Sequence, residues 1–271
     1  MISRLTSNIK DKFKQLLILN PVEHAYPLWH LEYESKMCRW LLWIEDSIPQ
    51  CYMLVYEGFR EPDVHLRSLT DDTNIVDKLK KLLAKISHHR FVLHTRREHF
   101  NLVRSTLTDL DVKRVYGIKV MECIEPRAAD YNEVIELKPS NWPLLVDVML
   151  EVMEARGIKC TNPPLEAYNN VASYRTFAIV KGGKAVAMAS IVALTPHVAI
   201  IGNVYTLKNF RGMGYGKAVT SKALSEALKL SSRVIVWVRE DNYSAIRLYE
   251  SLGFKQVIDD VWINVGLMFN P

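Results

Sequence analysis

Glycine stands at every second position from 212 to 216 in the stretch Val204-Tyr205-Thr206-Leu207-Lys208-Asn209-Phe210-Arg211-Gly212-Met213-Gly214-Tyr215-Gly216-Lys217-Ala218. A strand-like apolar run precedes these glycines and helical spacing follows, so they fall where a strand turns into a helix. The first amides of a helix have no partner within it, and its dipole favours negative charge at that end. Without Cβ atoms at 212, 214 and 216 the backbone admits an anion closely, and Arg211 and Lys217 add positive charge at the margins. The chemistry offered is that of a phosphate cradle. Two common phosphate loops do not fit. GxxxxGK[ST] needs a glycine at position 211 and a serine or threonine at 218, where the chain has Arg211 and Ala218, and in GxGxxG the third glycine would come one residue later.

A second constellation follows about thirty residues on: Asn242, Ala245, Tyr249, Gly253 and Phe254, spaced N-x-x-A-x-x-x-Y-x-x-x-G-F. Groups able to move a proton lie upstream of the glycines. Glu151 and Glu154 stand on a helical stretch, and His197 follows Pro196, whereas Val198 to Leu207 carries no carboxylate. Each has a plainer reading as well: a solvated helix face for the glutamates, a turn for His197, a core position for Tyr249 and a helix cap for Asn242.

Periodicity places these residues on an alternation of helices and strands, an α/β chain with a mixed sheet. In the second half, Trp142 to Arg156 reads as a helix ended by Gly157, and Leu165 to Val171 as a shorter one after Asn162-Pro163-Pro164. Arg175 to Val180, Ala185 to Leu194 and Val198 to Leu207 read as strands, and Gly214 to Leu230 as a helix. Val234 to Val238 is apolar throughout, which suits a strand covered on both faces, and Ser244 to Leu252 is a helix with Gly253 at its end. The first half runs in a similar order. Ile9 to Leu19 is helical, Trp40 to Ile44, Tyr52 to Tyr56 and Val64 to Leu69 are strand-like, and Asp72 to Ile86 is an amphipathic helix. Phe91 to His94 is a strand, Glu98 to Leu107 a helix, and Val112 to Ile124 extended. Laying Arg90–Leu107 on Arg233–Glu250 matches Arg90 to Arg233, Arg96 to Arg239 and Arg104 to Arg247, as a duplicated fold would.

The 271 residues suffice for two cores, taken as domains 1–128 and 129–271. A net charge of +5 could advertise a nucleic-acid partner, but the first 130 residues hold 20 basic and 18 acidic groups and the rest 15 and 12, so the excess is even and no such partner is expected. The longest nearly unbroken apolar run, Ala185 to Leu194, is half the length a membrane-spanning helix needs, about twenty residues. Met1 to Lys14 lacks the apolar core of a secretory signal, and a cytoplasmic protein is expected. Cys38, Cys51, Cys123 and Cys160 show no metal-ligand spacing, and no metal site is expected.

The strand, the R-x-x-G-x-G run of Arg211 to Gly216 and the Asn242-to-Phe254 constellation together resemble the GNAT superfamily of N-acetyltransferases, over roughly Tyr131 to Leu267. Asn203 to Leu207 is similar to its glycine N-acyltransferase branch. The resemblance implies a GNAT fold in the second half, a degenerate tandem copy in the first, and acetyl-CoA or another acyl-CoA as the bound acyl donor. The amides of Met213, Gly214, Tyr215, Gly216 and Lys217 would hold the diphosphate, and Val204, Tyr205, Thr206 and Leu207 would pair with the pantetheine arm. Arg211, Gly212, Asn242 and Ala245 would complete the coenzyme site, with Tyr249 near the sulfur as proton donor. Many relatives carry a glutamate on the strand before the loop, so here the base is open among Glu151, Glu154, His197 and a water held by Tyr205. A lysine amine costs about 4.6 kcal/mol to deprotonate at pH 7 and an α-amine about 1 kcal/mol, which tilts the acceptor towards an α-amine on a small molecule or peptide. In the first half the equivalent segment, Arg67 to Asn74, lacks glycine and carries Asp71 and Asp72. That half is expected to bind no coenzyme A and to form an internal pseudo-dimer with the second, in a monomer or a homodimer.

Overall fold

The computed structural model describes residues 1–58, 61–70, 74–108, 110–127, 133–157 and 159–266. The chain runs through β1 (Ile2–Arg4), α1 (Ser7–Leu19), α2 (Ala25–Tyr33), β2 (Cys38–Glu45), β3 (Ile48–Tyr56), β4 (Asp63–Ser68), α3 (Ile75–Leu83), β5 (Phe91–Arg96), α4 (Arg97–Val103) and β6 (Val112–Cys123). It continues through β7 (Ile135–Leu137), α5 (Val146–Ala155), α6 (Pro163–Ser173), β8 (Arg175–Lys181), β9 (Lys184–Leu194), β10 (Ala199–Thr206), α7 (Tyr215–Leu228), β11 (Val234–Arg239), α8 (Tyr243–Ser251) and β12 (Phe254–Val265). Among the described residues no helix is long and apolar enough to cross a membrane.

Two compact units result. One comprises Met1–Val120, Arg239–Asp241 and residues 258–266, and the other Met121–Val238 and Asn242–Val257. The boundary expected at 128/129 falls on 128–132, outside the described residues. The last strand departs from the sequence expectation: its residues from Ile258 on group with the first unit, because they pair antiparallel with β5, Asp260 opposite Arg96 through Val265 opposite Phe91.

In the second unit the strand order is β11-β10-β9-β8-β7, with β10 and β11 parallel and the other neighbours antiparallel. Both faces are covered, which explains why β9 reads as nearly unbroken apolar sequence, Ser190 aside. Ala187, Ala189 and Ile191 pack towards Val219, Ala223 and Leu224 of α7. Ala185 and Met188 pack with Val148, Met149 and Val152 of α5 and Ala167 and Val171 of α6. Gly253 ends α8 at φ +96°, where an added Cβ would lie 1.8 Å from the Glu125 carbonyl oxygen. Alanine at positive φ ordinarily costs up to about 1 kcal/mol or more, and here the backbone at 125 must move as well. Gly253→Ala is therefore expected to lower the unfolding free energy by well over that amount, read as a fall in the urea midpoint; an unchanged midpoint would contradict the close approach.

The first unit repeats the order of elements, its sheet running β1-β2-β3-β4-β5 followed by the end of β12 and then β6. Alternate residues of β4 divide sharply. Val64 and Leu66 enter an apolar core with Leu79, Leu82 and Leu83 of α3, whereas Asp63, His65 and Arg67 occupy the other face. Arg67 and Asp260, each 1% exposed, form an ion pair there. Tyr26 and His30 of α2 lie against that face, their rings 6.1 and 6.3 Å from the His65 ring.

Candidate active site

The site is built on a strand that leaves its neighbour. β10 and β11 share three parallel rungs, Ala199 with Val234, Ile200 with Ile235 and Ile201 with Val236, and none further on among the described residues. β10 stays attached to β9 on its other side through Gly202, Tyr205 and Thr206, with an irregularity after Gly202. Asn203 takes a left-handed conformation there, φ 51°, which asparagine tolerates better than most residues. The result is a backbone edge at 203–206 that no strand occupies on the β11 side, the kind of edge an extended ligand can pair with.

Past β10, Leu207 N donates to Val186 O at 2.9 Å, and a short helical turn at Lys208–Phe210 leads into the glycines. Gly212 and Gly214 adopt φ 78° and 80°, with nothing within 4 Å of the place a Cβ would take. Gly216 differs: its Cβ would press on Thr206 Oγ1 and Leu248 Cδ1 at 3.1 and 3.2 Å. It lets the first turn of α7 sit close against the end of β10. The main-chain hydrogen bonds of this helix begin with Ala218 N to Gly214 O at 3.0 Å. Among the described residues no main-chain acceptor engages the amides of Met213 to Lys217, and the first turn carries no acid. Arg211 is tied to the end of β10. It folds back on β10, Nε donating to Thr206 O and Nη2 to Tyr205 Oη, each at 3.2 Å, with its guanidinium 5.5 Å over the Tyr205 ring.

Of the candidate acids and bases, the geometry gathers one beside the strand end. Glu151 Oε2 accepts from Tyr205 Oη at 3.3 Å and from Lys208 N at 3.2 Å. Burial first, then the Glu151 charge, raise the Tyr205 phenol above its ordinary pKa. Glu154, one turn further along α5, is exposed and has no side-chain partner among the described residues. His197 lies ahead of Ala199, where β10 and β11 are still paired, and the strand from Ala199 to Thr206 alone is roughly 23 Å long. Arg156 Nη2 donates to Asn203 Oδ1 at 3.0 Å, a second tie between α5 and β10 that sequence reading missed. Only the bulge brings Asn203 to that arginine, and nothing in the local pattern marks it.

On α8, Asn242 is the N-cap, its Oδ1 accepting from Ala245 N at 3.3 Å and Ser244 Oγ at 3.1 Å, so the capping reading of Asn242 is realised. Tyr249 is buried, 6% exposed, with its ring 5.8 Å from Phe254. Its hydroxyl makes no hydrogen bond among the described residues, and burial alone raises its pKa well above 10, keeping it a neutral phenol. The acidic pair Asp71-Asp72 of the first half lies outside the described residues.

Known proteins share sequence and fold with this chain. The acetyltransferase (GNAT) family profile matches residues 142–254. An uncharacterized N-acetyltransferase of Methanocaldococcus jannaschii is 38% identical over 60 residues, 22% of this chain and 26% of that protein. The chain spans about a quarter of the length of the curated relatives it matches. A Drosophila protein of solved structure aligns over 97% of this chain and 98% of its own at TM-score 0.71 and 12% identity. A tandem GNAT protein from the clavulanic acid biosynthesis pathway aligns over 100% and 99%, at TM-score 0.57 and 10% identity. At such identities the solved structures speak to the fold alone, which they share along the whole chain. The likeness to the acetyltransferase (GNAT) family lies in residues 142–254, which hold the glycine turn and the Asn242-to-Phe254 constellation.

Proposed function

We propose that the second unit transfers an acyl group, acetyl in the first instance, from acyl-coenzyme A to a primary amine by direct attack within a ternary complex. The observation that carries this reading is the run of unengaged amides at 213–217, opening from a left-handed glycine turn beside a strand that has parted from its neighbour. These groups fit the coenzyme. Five amides and a helix dipole suit a diphosphate, the open space over Gly212 and Gly214 admits it, and the free edge at 203–206 matches the amide-bearing pantetheine arm. When bound, the thioester supplies an activated acyl carbonyl. The chain's own part is to hold that carbonyl near the backbone edge, to position the amine, and to offer the Tyr249 phenol towards the sulfur. The carboxylate nearest the strand end is Glu151, already bonded to Tyr205 and Lys208 N; acting through a water it can take a proton from the amine. A carboxylate already hydrogen-bonded in this way suits an α-amine, which needs about 1 kcal/mol to lose its proton at pH 7, better than a lysine at about 4.6 kcal/mol. The first unit has no glycine from Arg67 to Asn74, and the coenzyme is assigned to the second unit alone.

The absence of any carboxylate on β10 favours a second reading, a non-catalytic module that binds acyl-CoA and regulates a partner. Calorimetric titration with acetyl-CoA and a thiol-release assay over amino acids, peptides and lysine-like amines separate the two. The expected result is stoichiometric binding with release of coenzyme A thiol that depends on an α-amine. Binding without release under every amine would establish the regulatory module, and no binding would end both readings.

A further inference from the structure

We propose that the first unit holds a divalent transition-metal ion of the zinc class on Asp63, His65 and His94. The three residues come from the two parallel strands β4 and β5. Asp63 and His65 are two apart on one strand and so project from the same face, and His94 is the direct neighbour of His65 across the ladder. One ligand atom from each lies within 4.8 Å of the others, and His94 Nε2 is 3.3 Å from Asp63 Oδ1. A tetrahedral ion with bonds of about 2.0–2.1 Å sets its ligand atoms roughly 3.3 Å apart. The His65 and His94 rings now lie stacked, centroids 4.5 Å apart and 15° between planes. Closing the set therefore asks the imidazoles to turn about χ2, a soft torsion.

The apolar face of these strands, with Val64, Leu66 and Leu93, enters the core against α3, and Asp63, His65 and His94 stand on the opposite face. Two imidazoles at 1% and 4% exposure are buried there. A polar group so buried is retained where it is bonded or coordinated. A third imidazole reinforces the point. His30 of α2 is 1% exposed, its Nδ1 has no hydrogen-bond partner among the described residues, and its ring lies 6.3 Å from that of His65 and 4.0 Å from Tyr56, on which it stacks. It brings a further nitrogen to the same cluster of rings. The Asp63 side chain, 22% exposed, gives the ion a way in from solvent. Two imidazole nitrogens and one carboxylate, without thiolate, select zinc, cobalt, nickel or iron over calcium and magnesium, which prefer all-oxygen sites.

The test uses the full chain, stripped with a chelator that is then removed, and titrated with cobalt(II) followed by zinc. We expect one equivalent of cobalt to bind with visible d–d bands, two hyperfine-shifted imidazole N–H resonances, and loss of the bands on adding zinc. Asp63→Asn and His94→Gln should each weaken cobalt binding at least about tenfold with unchanged circular dichroism. A folded wild-type protein that shows no bands at one equivalent overturns the site, as does cobalt binding of unchanged affinity in either variant. Should a variant fail to fold, the two imidazole resonances of the wild-type protein decide, and their absence counts against the site. None of these readouts depends on acyl transfer.

Discussion

Gly214→Glu is expected to lower the affinity for acetyl-CoA at least a hundredfold, to the point where calorimetry detects no binding. Two effects act in the same direction. Gly214 sits at φ 80° as the N-cap residue of α7, and a residue with a Cβ there loses about 1–2 kcal/mol of conformational energy. That alone is of the order of tenfold. The larger effect is electrostatic. The glutamate would bring a carboxylate to the end of a fourteen-residue helix whose first turn holds no acid and whose leading amides await an anion. It would occupy those amides itself and repel a diphosphate. Gly214→Ala separates the contributions, since it keeps the strain and omits the charge; it should bind with an affinity between those of the wild type and the glutamate variant. The position is open, with no atom within 4 Å of the added Cβ, so neither change disturbs packing, and the circular dichroism of both variants should match the wild type. Unchanged affinity in Gly214→Glu would remove the cradle, and with it the assignment of the coenzyme.

How far the sequence revealed this arrangement depends on how local each cause is. Val234 to Val238 was legible as a doubly covered strand, because burial on both faces writes itself as an unbroken apolar run. Gly253 marked a helix end through the φ of 96° that it adopts, and the three glycines marked the turn before α7. The helix Ala25–Tyr33 was not legible. Pro27 stands in its first turn, and aromatic and histidine residues surround it on all sides, so no single apolar stripe announces it. The short strands Ile2–Arg4 and Ile135–Leu137 are too brief to show a period. Phe254–Val265 escaped for another reason: its first residues belong to one unit and the rest to the other, so its burial follows no single alternation. In the candidate site the glycine turn was legible from spacing, and Tyr249 was singled out through the resemblance. The pairing of Glu151 with Tyr205, the fold-back of Arg211 and the Arg156–Asn203 bond arise from the crossing of α5 over β10 and from a bulge. No periodicity encodes either. The same holds for Asp63, His65 and His94, whose meeting depends on which strands pair.

Tyr249→Phe should leave acetyl-CoA affinity within about twofold of the wild type and reduce turnover on the order of a hundredfold, the ordinary worth of a positioned proton donor. Stability should hardly change, because the hydroxyl has no hydrogen bond to lose among the described residues and the ring keeps its packing against Phe254. The form of the effect follows from burial. With its pKa raised well above 10 by desolvation, the phenol stays protonated at every pH at which the protein can be assayed. It is always able to donate. A thiolate has an ordinary pKa near 8.5, so full transfer from the phenol is uphill by more than about 2 kcal/mol. On this reading the hydroxyl acts as a hydrogen-bond donor to the sulfur while the carbon–sulfur bond breaks and keeps its own proton, and the released thiolate takes a proton from water afterwards. A pH–rate profile tests this account as well as the mutation. The rate should rise with pH as the acceptor amine loses its proton, and Tyr249 should impose no fall below pH 10. A descending limb near pH 9 that vanishes in Tyr249→Phe would show a phenol titrating where this burial forbids it. Full turnover in the variant would return Tyr249 to the core as a packing residue and leave the departing sulfur to solvent.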